Sequence, residues 1–184
     1  MSTHEIVLVE RLFEQPEPLE RLQAAEDAVA WCLEQHRVRF LRSYVSLDGC
    51  SMVCAYEAPD AEAVRITQEK GGLPLVRAWT GRPLFPPTRF AAGAGRSTVA
   101  VERELPVAMA PEEVLAVMRE KGGCLSLHGV EKLVNYLSLD GRRMFCIFEA
   151  PDAEAVRISN RQMGLPVARA WTATVHEAEA PDRA

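Results

Sequence analysis

A chain of 184 residues, 48% apolar and 26% charged, has the make-up of an ordinary globular protein and the length of one domain or two small ones. A net charge of −5 with no basic stripe argues against nucleic acid or an anionic membrane as partner, because both repel acidic proteins. No apolar run approaches the about 20 residues that span a bilayer, MSTHEIVLVERLF lacks the basic head and cleavage residues of a leader, and the five cysteines include no CxxC pair, so a cytoplasmic protein with free thiols is expected.

The first element is IVLVERLF (6–13), which alternates as a strand does. EPLERLQAAEDAVAWCLEQH (17–36) sets Leu22, Ala25, Val29 and Cys32 at helical spacing and predicts one helix. VRFLRSYVS and SMVCAYEA flank LDGC, and Asp48-Gly49 between two alternating runs predicts a hairpin with a two-residue turn. APDAEAVRITQEKGG predicts a second helix, capped by Asp60 and stopped at Gly71-Gly72. VRAWTG closes the series as a strand. The order β-α-β-β-α-β is the ferredoxin-like split βαβ.

The series then recurs. YEAPDAEAVRI begins at Tyr56 and FEAPDAEAVRI at Phe148, 92 positions later, with one residue changed. The same step carries Glu10-Arg11 to Glu102-Arg103, Cys32 to Cys124, His36 to His128, Tyr44 to Tyr136, Cys54 to Cys146 and RAWT at Arg77 to RAWT at Arg169. The chain therefore divides into repeat 1 (1–83), a Pro/Gly/Ala linker (84–97), repeat 2 (98–176) and a tail (177–184) expected to be disordered. Gly122-Gly123 is expected to weaken or kink the first helix of repeat 2. Two helices cannot cover both faces of a four-stranded sheet. The expected fold is thus α+β: two ferredoxin-like (βαββαβ) repeats packed sheet to sheet as a pseudo-dimeric α+β barrel around a central cavity.

Pairing across the Asp48-Gly49 turn sets Tyr44 opposite Val53 and Phe40 opposite Glu57. Leu41, Ser43, Val45, Met52, Cys54 and Tyr56 form the more apolar face, expected under the helices. The opposite face holds Phe40, Arg42, Tyr44, Ser46, Val53, Ala55 and Glu57. With the outer strands added, the cavity lining is Glu10, Arg42, Tyr44, Glu57, Arg77 and Trp79. Repeat 2 supplies Glu102, Val134, Tyr136, Glu149, Arg169 and Trp171. Carboxylate, guanidinium, phenol and indole together suit a polar aromatic ligand or a metal, and equally a satisfied ion-pair network. In a catalytic reading, Glu57 or Glu149 is the general base and Tyr44 or Tyr136 the hydrogen-bond donor. Cys32 and His36 share a helix face and recur as Cys124 and His128. With Cys54 and Cys146 on the sheet beneath, they are candidate soft-metal ligands. Buried small apolar cysteines, with a histidine near a helix C-terminus, explain the same pattern.

Through VERLF, SYVSLDG, MVCAYEAPDAEAV and GLP, and their second copies, the chain resembles a bacterial family of small ferredoxin-like domains of unknown function, some of whose members are described as nickel-binding proteins. The resemblance covers nearly all of both repeats. Its motif positions fall on Glu10, Tyr44, Cys54, Glu57 and Asp60, and on Glu102, Tyr136, Cys146, Glu149 and Asp152. Many members carry histidine in the second helix, where this chain has Thr67 and Ser159. The resemblance implies a small metal-binding protein with nickel as the favoured cofactor. The alternatives are a small-molecule binder or enzyme (isomerase-, cyclase- or oxygenase-like) using the cavity, or a structural module without ligand. The expected partner is a small ligand or metal ion, and the chain itself a monomer or weak homo-oligomer.

Overall fold

The structure, a computed structural model, describes residues 4–87 and 89–178. It divides into two compact units: one runs through Thr80 and takes in the chain's end from Val175, and the other spans Gly81–Thr174.

In the first unit, β1 (Glu5–Leu12), β2 (Arg39–Ser46) and β3 (Ser51–Ala58) form antiparallel pairs with β3 in the middle. Helices α1 (Leu19–Asp27) and α2 (Ala30–Gln35) connect β1 to β2, and α3 (Ala61–Lys70) leads from β3 to β4 (Arg77–Pro83). The Val76 amide donates to the Glu10 carbonyl at 2.8 Å, which brings the start of β4 beside β1. The second unit repeats the plan with β5 (Ser97–Glu104), α4 (Pro111–Lys121), α5 (Gly123–Leu127), β6 (Glu131–Ser138), β7 (Arg143–Ala150), α6 (Ala153–Met163) and β8 (Arg169–Glu177). There β7 lies between β5 and β6, β8 pairs with β5, and Gly81–Pro83 pairs with β6. The class is α+β, built from two ferredoxin-like repeats.

Alternation along the strands builds both cores from the same register. In the first unit Val7, Val9, Val45, Met52, Cys54 and Tyr56 face Leu22, Val64 and Leu73. In the second, Val99, Val101, Leu137, Met144, Cys146 and Phe148 face Val114, Val156 and Met163. Each fully buried Val or Leu side chain contributes about 1.5–3 kcal/mol. The face turned away from the helices is buried as well: Leu8, Tyr44, Val53 and Ala55 are 0–1% exposed. The repeated phrase makes the second helix start in both units. Asp60 Oδ1 accepts the Ala63 amide and Asp152 Oδ1 that of Ala155, each at 2.8 Å, so an orphan N–H of the first turn is satisfied.

Three local expectations change. The single helix over 17–36 is two helices, α1 and α2, parted at Ala28 and Val29. In repeat 2 the break falls at Gly122. Repeat 1 breaks without a glycine, so packing rather than glycine flexibility imposes the turn. The hairpin keeps its register, with Tyr44 opposite Val53, but its loop is the four residues Leu47–Cys50. The Gly49 amide donates to the Ser46 carbonyl and Gly49 takes φ 69°, while Asp48 Oδ1 accepts the Cys50 amide. Finally, a bulge between Phe40 and Arg42 shifts the pairing by one residue. Phe40 therefore opposes Tyr56 and meets its ring edge-on at 5.6 Å under the helices, not on the opposite face. The same bulge recurs between Lys132 and Val134. Of the expected tail, Glu177 closes β8 and the Ala178 amide donates to the Leu41 carbonyl; 179–184 lie outside the described residues.

Candidate functional site

Alternation in β1 puts Arg11 on the same face as Val7 and Val9, an unusual place for a guanidinium. It is 2% exposed. A buried charge must be hydrogen-bonded to be tolerated, and Arg11 is: Nη1 donates to the Pro74 carbonyl at 2.6 Å, and Nη2 to Tyr56 Oη at 3.3 Å and to Gln68 Oε1. Glu26 of α1 completes the cluster. The Tyr56 hydroxyl donates to Glu26 Oε1, which stands 4.0 Å from Arg11 Nη2.

Repeat 2 keeps the arginine and drops the acid. Arg103 donates to the Pro166 carbonyl at 2.8 Å and to Asn160 Oδ1 at 2.5 Å. Phe148 replaces Tyr56, Met118 replaces Glu26 and Asn160 replaces Gln68. The one change in the shared eleven-residue phrase is thus part of a concerted set. Met118 belongs to the apolar core there, with Leu115, the counterpart of Gln23, packed against it.

In repeat 1 the space beside Glu26 is open. A pocket of about 550 Å³ has Arg11, Glu26 and Cys54 at its polar end and Leu22, Phe40 and Met52 as apolar wall. Glu20, Asp27, His176 and Glu177 also border it and are exposed. Burial pushes the Glu26 carboxyl above its ordinary 4.5, against the opposing pull of the Tyr56 hydrogen bond and the Arg11 charge. Burial also pushes the Tyr56 phenol and the Cys54 thiol up, the latter despite Arg11. Cys54 is therefore a neutral thiol, as is Cys146, raised by the same cause.

The residues expected to line a cavity form ion pairs within each unit. Glu10 accepts from Trp79 Nε1 at 2.7 Å and lies 3.5 Å from Arg77 Nε. Glu102 accepts from Trp171 Nε1 at 2.9 Å and lies 3.5 Å from Arg169 Nη1. The two Glu-Arg-Trp triads are copies of one another. Glu57 is paired with Arg39 and with His4 Nδ1 at 3.1 Å. Glu149 accepts the Gly93 amide at 2.8 Å and pairs with Arg89 at 2.9 Å and Arg96 at 3.3 Å. The Gly93 hydrogen bond, with both arginines, holds its carboxyl below the usual range against the cost of burial. Tyr44 and Tyr136 are buried in their sheets, and Arg42 sits opposite Ala55.

The metal-ligand candidates do not assemble. Among the described residues no three His, Cys, Asp or Glu side chains stand together as a metal-holding group. Cys32 is buried on α2, whose C-cap is His36, and His128 Nε2 lies 3.0 Å from Gln162 Oε1. Cys124 packs against the core of the second unit. Where the resemblance would place imidazoles, Thr67 and Ser159 are buried and donate to the Val64 and Val156 carbonyls of their own helices. Among the described residues, then, no set of nickel donors stands together.

Arg11, Glu26, Gln68, His176 and Glu177 were not expected at a site. Two signals pointed to the first three: a charge on the apolar phase of a strand, and the joint changes Glu26/Met118, Tyr56/Phe148 and Gln68/Asn160 at one step of 92. Nothing in the sequence pointed to the last two.

A family model described as "Nickel responsive protein SCO4226-like" matches residues 8–79 and 100–172, one match per repeat. Among solved structures, the chain is similar to a mutant chlorite dismutase from Candidatus Nitrospira defluvii in complex with cyanide, at 14% identity and TM-score 0.55, over 95% of this chain and 91% of that one. It is also similar to a candidate monooxygenase from Lactobacillus acidophilus NCFM, at 12% identity and TM-score 0.50, over 94% of each chain. At such identities the likeness is one of fold. No curated protein matches the chain significantly.

Proposed function

Since the chain belongs to the nickel responsive protein SCO4226-like family, nickel is the first ligand to weigh against its site, and we propose instead that the pocket of repeat 1 holds a small organic molecule. The observation that carries this reading is a carboxyl and a guanidinium at one end of an apolar pocket of about 550 Å³. Small-molecule sites commonly measure about 300–1,000 Å³, with apolar walls and a few convergent polar groups. The comparison between repeats supports it. Repeat 2 keeps the fold with Met118, Arg119 and Lys132 where repeat 1 has Glu26, Asp27 and Phe40. The fold therefore does not require the acid, and repeat 1 retains it at the cost of burying a carboxyl.

A fragment screen by amide NMR on the full chain tests the proposal. Binders are expected to shift amides around Arg11, Glu26, Phe40 and Met52, and shifts confined to repeat 2 refute it. Family membership favours nickel as the second reading, and metal analysis separates the two. Untagged protein from nickel-supplemented growth is expected to carry well under one nickel per chain, with no change in melting temperature on adding Ni(II). Stoichiometric nickel with a raised melting temperature would establish the metal instead.

A further inference from the structure

We infer that the ligand of this pocket is an organic cation, an apolar body bearing an ammonium group that pairs with Glu26; the inference rests on the small-molecule reading of the pocket. The polar groups decide the sign. Among the described residues lining the pocket Arg11 is the one strongly basic side chain, and its guanidinium already holds Pro74, Gln68 and Tyr56. Three of its five N–H donors are thereby engaged and its charge faces Glu26, so an anionic ligand would have to approach that carboxyl to reach it. Glu26, whose side chain is 12% exposed, accepts from Tyr56 and, among the described residues, has Arg11 as its ion-pair partner, at 4.0 Å. A carboxylate has room for further donors, and an ammonium carries three.

The mouth agrees with the floor. Glu20, Asp27 and Glu177 border the pocket against a single histidine, His176. Carboxylates around a low-dielectric cleft draw cations in and repel anions. At the equivalent places repeat 2 has Arg119 for Asp27 and Lys132 for Phe40, so the cation preference belongs to repeat 1. The apolar wall of Leu22, Phe40 and Met52 then takes the body of the ligand. The raised carboxyl is consistent with this. Around Glu26 stand Arg11 from β1, Cys54 and Tyr56 from β3, Gln68 from α3 and Asp27 beside it on α1. Only Arg11 among them is a cation, and an ammonium group would add the countercharge that favours ionisation.

Three probes of one shape test the inference: tryptamine, tryptophol and indole-3-propionate, titrated into the full chain and followed by amide NMR. Tryptamine is expected to bind about tenfold more tightly than the alcohol, with the acid weakest, and its advantage should shrink with added salt. Glu26→Gln should bring tryptamine down to the affinity that tryptophol has for the same variant. Glu20→Gln with Glu177→Gln, both exposed, should lower tryptamine affinity about two- to threefold. If the alcohol or acid binds in the pocket as tightly as the amine, the ligand class is wrong and the pocket reading stands. If Glu26→Gln, folded by its spectrum, leaves the amine's advantage intact, the pairing is wrong. If no probe binds, or all shifts fall outside the pocket, both readings fall.

Discussion

Tyr56 and Phe148 hold equivalent places on β3 and β7, and the phenolic oxygen between them is bonded to Glu26 in a pocket whose other partner is Arg11. Tyr56→Phe keeps the ring, which the phenylalanine of repeat 2 shows to fit, and removes one donor from a half-buried carboxyl. The expected cost at neutral pH is about 1–3 kcal/mol, read by urea denaturation. Combined with Glu26→Met, the pair found in repeat 2, the loss should be smaller than the sum of the single effects by about 1 kcal/mol. Additive losses would mean that the two side chains do not act together. Glu26 also sets a pH dependence. Its pKa is raised above the ordinary 4.5 by burial, so the folded state binds a proton that the unfolded state releases. The protonated site gives its full stability below the unfolded value, and that contribution is lost as pH rises through the higher folded value. Denaturation of the native chain and Glu26→Gln between about pH 4 and pH 8 should show this decline in the former and not in the latter.

Among the elements, the connecting turns tolerate little change, for reasons that differ from glycine to glycine. Gly141, in the loop between β6 and β7, takes φ 67°, and a Cβ there would stand 2.5 Å from the Met109 carbonyl oxygen. The Met109 amide in turn donates to the Gly141 carbonyl at 2.9 Å, so the backbone cannot move aside without losing that bond. Gly72, after α3, takes φ 64° with open space around it. Alanine at Gly72 should cost about 1 kcal/mol of backbone strain, and alanine at Gly141 about 3 kcal/mol or more, measured by the same denaturation. Equal costs would show that the close approach of Met109 is not maintained in solution. The helix break argues similarly from packing. It occurs in repeat 1 at Ala28 and Val29 and in repeat 2 at Gly122, so residue type eases the turn in one copy without being needed in the other.

For the whole molecule, duplication leaves two repeats that share most of their buried polar contacts and differ beside one arginine. Both repeats keep the buried arginine, the Asp helix cap and the Glu-Arg-Trp triad. Only repeat 1 places a carboxyl beside its arginine, and its pocket is bordered by His176 and Glu177 from the far end of the chain. Ending the chain after Thr174 removes both residues, together with the bond from the Ala178 amide to the Leu41 carbonyl. The truncated chain should stay folded by circular dichroism and bind tryptamine about two- to fivefold more weakly by NMR titration. Unchanged affinity would show that the chain's end contributes nothing to the site.

The repeat, the order of elements, the Asp60 and Asp152 caps, the pairing of Tyr44 with Val53 and the face carrying Met52, Cys54 and Tyr56 were legible in the order of residues alone. These follow from local rules: a period of two or of 3.6, a turn dipeptide, a capping side chain. Long-range packing set the rest: a bulge turns Phe40 beneath the helices, Glu57 pairs with Arg39 while Arg77 goes to Glu10, and residues 11, 26, 56 and 68 meet at one point. It also brought Glu177 to the first repeat's pocket. Periodicity says which face a side chain takes and is silent on what stands across from it. A buried charge finds its partner only when distant segments close around it, and every group left inside must then be paired.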